Sequence, residues 1–477
     1  MRVLLIYPPM VASERRFAIS VGQPLGIAYL GAQLEQEGFE VHLLDALMSG
    51  FLPGVKPEEL SGTLEPDRVR VSRGVVKRTP LEPPFAEESF VVGMNAADIV
   101  DHVRRIQPDV VGISVIFTSL YKMGLHIAES IKNLDPGIKV IMGGSHVTVS
   151  PENCLKNPAV DYIVLGEGEM VFPRLLKGLE AGKREFSHLP GVGYRDAQGK
   201  SCLTKQELIM DLDQLSRPAW HLLPMEDYFT AAAEGRTVKM YTSRGCTFTC
   251  SFCSVPYIAG RRFRVHSPER VMAEIEYLIE TYAIEGLMFE DDNMNLEAKR
   301  ARRIFEMIVE RNFGLKMYAR NFRCDIMDAE TLRLMKLAGF DTVWITPESG
   351  NQRVLNQVIE KKMKLNAIRD SVTRMVDSGL NIGAAFVIGS PGETRDEIQD
   401  TIEFARELKG QGVGSFWISI ATPIEGTRLY NDAMDMGLIQ GMNLDRFSYN
   451  EGTFDTDEFT AGEMNQLRDQ LMAELNA

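Results

Sequence analysis

Val238-Lys-Met-Tyr-Thr-Ser-Arg-Gly-Cys246-Thr-Phe-Thr-Cys250-Ser-Phe252-Cys253 joins an apolar, strand-like run to a loop with three cysteines. The spacing is Cys-x3-Cys-x2-Cys, and Phe252 directly precedes the last thiol. Three thiolates this close on one loop can hold three irons of a cubane cluster and leave the fourth iron without a protein ligand. An open metal position separates a catalytic site from a sealed structural one. A zinc knot would want a fourth Cys or His at short spacing, and the next histidine, His266, lies thirteen residues beyond Cys253. An iron–sulfur site with an open iron is the better reading.

Downstream, strand-like runs recur at Gly286-Leu-Met-Phe-Glu, Lys316-Met-Tyr-Ala-Arg, Thr342-Val-Trp-Ile-Thr, Ile382-Gly-Ala-Ala-Phe-Val-Ile and Ser415-Phe-Trp-Ile-Ser-Ile. Helical patterns at 268–282, 296–311 and 395–409 separate some of them. Six such βα units predict a parallel barrel, complete or partial, whose chemistry stands on the loops after the strands. The cysteine loop occupies such a place, after the first strand of the series.

Upstream, the first ~180 residues alternate apolar strands with amphipathic helices, the pattern of a doubly wound parallel sheet covered on both faces. The strands are predicted at 3–7, 40–44, 110–116, 139–142 and 161–165. Their carboxyl ends read Tyr7-Pro8-Pro9, Ser114 to Ser119 with Thr118, Gly143-Gly144-Ser145-His146, and Gly166-Glu167-Gly168-Glu169. Ligands of such sheets bind outside these ends, and small residues there let a large ligand approach the backbone. One tip alone would read as a turn; four together favour a ligand. Residues 50–95, rich in Pro, Gly and charge, read as an irregular excursion. The expected division is 1–184, a linker or wrapping segment at 185–234, the barrel at 235–440, and a cap or tail at 441–477.

Composition narrows the classes. The 477 residues are 44% hydrophobic and 25% charged, which is ordinary for a globular protein with ample core. A net charge of −14 argues against nucleic-acid binding, which needs a basic face. The compact basic run Arg261-Arg262-Phe263-Arg264 reads better as a solvated loop than as an anion site. No apolar run is long enough to span a membrane, and six scattered or clustered cysteines fit a reducing compartment. The expected location is the cytoplasm.

On these residues the chain resembles the radical S-adenosylmethionine enzymes with an N-terminal cobalamin-binding domain. The resemblance implies a flavodoxin-like cobalamin-binding sheet followed by a partial (β/α)6 barrel. It implies that Cys246, Cys250 and Cys253 ligate a 4Fe–4S cluster whose open iron chelates S-adenosylmethionine, with Phe252 along the adenine. Asp292 in Glu290-Asp291-Asp292, Glu348 and Ser349 in Pro347-Glu348-Ser349-Gly350, and Gly389 in Gly389-Ser-Pro-Gly-Glu-Thr394 are the implied contacts to S-adenosylmethionine. Asp292 could equally serve a helix N-terminus, and Thr394 could be an N-cap. Arg320 and Arg323 could bind a carboxylate, although structural pairing with acids is favoured. Ser114, Thr118, Gly143, Gly144, His146, Gly166, Glu167 and Gly168 are the implied cobalamin contacts. The chain lacks Asp-x-His-x-x-Gly, so cobalt is expected without a histidine ligand, and His146 reads as a buried or loop histidine.

The chemistry implied is methyl transfer to an unactivated carbon of a small molecule through a 5′-deoxyadenosyl radical and methylcobalamin. Oxidative cyclisation or rearrangement, as in anaerobic tetrapyrrole cyclases, would use the same cofactors. A methylthiotransferase would need a second cluster, and only Cys154 and Cys202, far apart, precede the triad. A non-enzymatic cobalamin or nucleotide regulator is the remaining alternative. An electron donor such as flavodoxin or ferredoxin is the expected partner, with no nucleic acid and no membrane span.

Overall fold

The computed structural model describes residues 1–13, 21–52, 54–56, 58, 67–71, 73–81, 85, 89–232, 234–439 and 451–477. It divides into two compact units, Met1–Thr237 and Val238–Ala477.

The first unit is built on five parallel strands, Arg2–Tyr7, Glu40–Asp45, Val110–Ser114, Lys139–Gly143 and Tyr162–Val164. In chain order they lie 2-1-3-4-5, the flavodoxin-like order, in which the order of strand placement reverses between the first and third strands. Their runs are almost wholly buried because helices cover both faces. Helix Leu25–Gln36 ends where Gly38 takes φ +86°, and Ala96–Ile106 ends at Gln107 with φ 52°, just before Pro108.

Two stretches carry more regular structure than expected. Within 50–95 the described residues Arg68–Val71, Gly74–Pro80 and Ser89–Val92 join Met10–Ser13 in a four-stranded antiparallel sheet. Arg68–Val71 alternates half-buried arginine with buried valine, so charge on the outer face disguised a strand. The segment 185–234 wraps the first unit. Val192–Arg195 and Ser201–Leu203 extend its sheet by two antiparallel strands, and Phe186, Val192 and Tyr194 share a core with Val3 and Ile141. Each such buried side chain contributes roughly 1.5–3 kcal/mol, which holds a segment of short strands in place.

In the second unit six strands run in sequential order: Thr237–Met240, Gly286–Phe289, Lys316–Phe322, Phe340–Glu348, Asn381–Ile388 and Ser415–Ile420. The last five are mutually parallel. Phe340 packs against Phe289 and Phe305, with ring centroids 5.9 and 5.0 Å away. Residue 440, the last of the expected barrel, and residues 441–450 of the expected cap or tail lie outside the described residues. The cap's final helix, Ala461–Leu475, lies along the sixth strand, where the Asn476 amide bonds both the N–H and the carbonyl of Phe416.

Candidate active site

The cysteine loop leaves the first strand of the second unit and is held by two neighbouring acids. Asp291 is fully buried and accepts hydrogen bonds from the Thr242 N–H at 3.0 Å, the Thr242 hydroxyl at 2.8 Å and the Ser243 hydroxyl. Burial pushes its carboxyl up, against those bonds. Asp292 accepts from the Gly245 N–H at 2.8 Å, immediately before Cys246. Arg300 Nη2 donates to the Thr242 carbonyl at 2.6 Å. Asp291 therefore fixes the root of the loop, while Asp292 holds the residue just before its first cysteine.

The three thiols are free and partly buried. Burial pushes Cys250 up to about 11 and Cys253 to about 12, and it raises Cys246 as well. Burial thus disfavours free thiolates here, and a bound metal would draw the protons off. Among the described residues, no three His, Cys, Asp or Glu side chains gather closely enough to hold a single ion. A cubane spreads its ligands over separate irons, and three thiols on one short loop are a donor set that fits it.

Glu348 ends the fourth strand at φ +70°. Strain of that kind costs of order 1–3 kcal/mol and persists where the surroundings over-determine it. Lys361, absent from the sequence expectations, supplies that determination. It is buried, and its Nζ donates to Glu348 Oε1 at 2.8 Å and Thr346 Oγ1 at 2.6 Å. Ser349 is fully buried, with its hydroxyl bonded to Thr401 Oγ1 at 3.0 Å and accepting from the Asn351 N–H, so its side chain shapes the turn behind Glu348. Phe252 is half-buried. The sequence signal for Lys361 was weak: it stands among Lys362 and Lys364 and reads as solvated charge.

At the fifth strand's end, Glu393 Oε2 accepts from the N–H groups of Gly389 and Ser390. Thr394 and Glu397 form a reciprocal capping box on helix Arg395–Gln411, as the N-cap alternative foresaw. Arg323 pairs with Asp325 at 2.8 Å and lies 3.9 Å over the Phe248 ring. Arg320 stands 3.8 Å from Glu290, so both arginines are paired.

In the first unit, the tips of the first and third strands, Tyr7 and Ser114, flank the reversal of strand order. Gly144 has φ +107°, and a Cβ there would lie 2.6 Å from the Val115 carbonyl. Next to it His146 is buried, its Nδ1 3.2 Å from Thr118 Oγ1 and its ring 4.6 Å from that of Tyr121. Burial lowers its pKa to about 4, so the ring is neutral, and its Nε2 has no hydrogen-bond partner among the described residues. Gly166 donates its N–H to Thr148 Oγ1 at 2.9 Å, and Glu167 accepts from the Ile209 N–H at 2.8 Å. The arrangement gathers Thr118, Gly143, Gly144 and His146 at one end of the sheet. An orphaned buried nitrogen there fits a ligand that brings polar groups.

Residues 240–405 match the radical SAM superfamily and residues 86–176 the B12 binding domain. An uncharacterized methyltransferase of Pyrococcus horikoshii is 30% identical over 98% of this chain and 90% of its own. The chain belongs to the radical S-adenosylmethionine enzymes with an N-terminal cobalamin-binding domain. Another relative, the cytidylyl-2-hydroxyethylphosphonate methyltransferase of Streptomyces wedmorensis, is 29% identical, covering 92% of this chain and 83% of its own. The fold matches that of the radical S-adenosylmethionine methyltransferase TsrM of Kitasatospora setae. The TM-score is 0.68 at 18% identity, with 93% of this chain and 79% of that one covered. No helix of this radical S-adenosylmethionine enzyme, among the described residues, is long and apolar enough to cross a membrane.

Proposed function

We propose that this enzyme transfers a methyl group to an unactivated carbon of a small molecule. The observation that carries this reading is the cysteine loop at the end of the first strand, on one chain with a 2-1-3-4-5 sheet of glycine-rich tips. Two relatives named methyltransferases, covered to 90% and 83% of their own length, support it. When bound, the cluster, S-adenosylmethionine and cobalamin would together supply a 5′-deoxyadenosyl radical and a transferable methyl group.

The chain's own residues bind and orient. Cys246, Cys250 and Cys253 would hold three irons. Asp292 fixes the loop by the Gly245 N–H, and Glu348 and the Gly389 turn, at neighbouring strand ends, would meet the amino acid and ribose of S-adenosylmethionine. Gly143, Gly144, Gly166 and Gly168 open the strand tips of the first unit to the corrin, with Ser114, Thr118, His146 and Glu167 as its polar neighbours. His146 is buried against Thr118 and Tyr121, and cobalt is assigned no histidine ligand because the chain lacks Asp-x-His-x-x-Gly. The reaction consumes single electrons, so a flavodoxin or ferredoxin of the cytoplasm is the partner we assign.

Anaerobically reconstituted enzyme would be given trideuteromethyl S-adenosylmethionine, hydroxocobalamin, a reductant and a metabolite extract. Methyl transfer predicts a small molecule carrying the deuterated methyl group. Formation of 5′-deoxyadenosine with label absent from every product would instead favour cyclisation or rearrangement.

A further inference from the structure

Lysine is almost never fully buried unless paired, and Lys361 is only 8% exposed. Its ammonium has three N–H donors, of which Glu348 and Thr346 take two. The backbone around it is strained: Glu348, Glu360 and Lys362 all have left-handed φ, at 70°, 59° and 56°. An ion pair of this kind adds little stability over apolar replacements, and strained backbone concentrates at functional sites.

The segment that carries Lys361 is stitched to the cysteine loop. The Ser251 N–H donates to the Ile359 carbonyl at 2.8 Å. Arg323 Nη1 donates to the Lys361 carbonyl at 3.1 Å, while its guanidinium stacks on Phe248 of the same loop. These bonds tie the segment that carries the cation to the loop that carries the thiols.

We propose that Lys361 is a positioning residue for the cluster, a fixed cation oriented by Glu348 and Thr346 that raises the reduction potential of an iron–sulfur cluster held by Cys246, Cys250 and Cys253. The inference rests on reading that loop as the cluster site. An electron entering the cluster adds negative charge, and a nearby cation in a poorly solvated site stabilises the reduced form. Glu348 opposes this, so the pair sets a value between two extremes.

The test is an EPR-monitored redox titration of the anaerobically reconstituted full-length enzyme without S-adenosylmethionine. Lys361→Met should lower the midpoint by about tenfold in the reduction equilibrium, about 59 mV for one electron. Lys361→Arg should stay near wild type, and Glu348→Gln should move upward. If Lys361→Met fails to fold around an unpaired carboxylate, the Lys361→Met/Glu348→Gln double variant should titrate below Glu348→Gln alone. An unchanged midpoint in the lysine variants at full iron content overturns the proposal. So does an unchanged midpoint with weakened S-adenosylmethionine binding by calorimetry, which would make Lys361 a substrate contact. Absence of any cluster signal in wild type would overturn the cluster reading itself, and the proposal with it.

Discussion

Glu393 shows how a single side chain can serve a turn at a cost. It is 1% exposed, and Oε2 takes two backbone N–H bonds while Oε1 has no partner among the described residues. Burial pushes its pKa up to about 7 from the ordinary 4.5. Between those values the native state holds a proton that the unfolded chain has released. Stability therefore falls as pH rises through that window and levels off above it, by on the order of 3 kcal/mol in all. Glu393→Gln keeps the accepting oxygen and removes the charge. Its melting temperature should exceed wild type at pH 8 and match it at pH 5; equal melting at pH 8 would refute the account. The cysteines were legible because their ligand geometry is set by short covalent spacing. Glu393 stood within the Gly389–Thr394 turn without a role of its own and Lys361 was not singled out, since burial of a charge is decided by distant strands.

At the scale of elements, the parallel strands announced themselves because both faces are buried, giving unbroken apolar runs such as Val110–Ser114. The antiparallel sheet within 50–95 escaped notice because its strands are short and show charge on one face, and the pairing partner Met10–Ser13 is remote in sequence. The strand tips could be read from glycine content, but not which glycines the fold itself requires. Gly144 is one that it does require. Gly168 is different: a Cβ there would meet only Val164 Cγ1 at 3.5 Å and Leu30 Cδ1 at 3.9 Å, ordinary contact distances. The fold can accept alanine at 168, so a glycine there points to space kept for a ligand. Gly168→Ala should melt as wild type yet bind hydroxocobalamin more weakly in an optical titration, whereas Gly144→Ala should lose stability, by about 1–3 kcal/mol. Unchanged corrinoid affinity in Gly168→Ala would reduce that tip to a plain turn.

For the whole molecule, the decisive quantity is the count of S-adenosylmethionine consumed. A chain that carried only the cysteine loop could generate radicals, and one that carried only the first unit could hold a corrinoid. This chain has both, within 477 residues. Methyl transfer to carbon balances only if one S-adenosylmethionine gives up its methyl group and becomes S-adenosylhomocysteine. A second must be cleaved to methionine and 5′-deoxyadenosine, the latter carrying the hydrogen taken from the substrate carbon. Each methylated product should therefore be accompanied by one equivalent of each coproduct, measured together by liquid chromatography and mass spectrometry. Gly168→Ala, with its corrinoid binding weakened, should uncouple them, lowering S-adenosylhomocysteine while 5′-deoxyadenosine persists. Cys250→Ala should abolish 5′-deoxyadenosine. A wild-type enzyme that forms 5′-deoxyadenosine and a new product with no S-adenosylhomocysteine would be doing cyclase-like chemistry, since nothing would then have donated the methyl group.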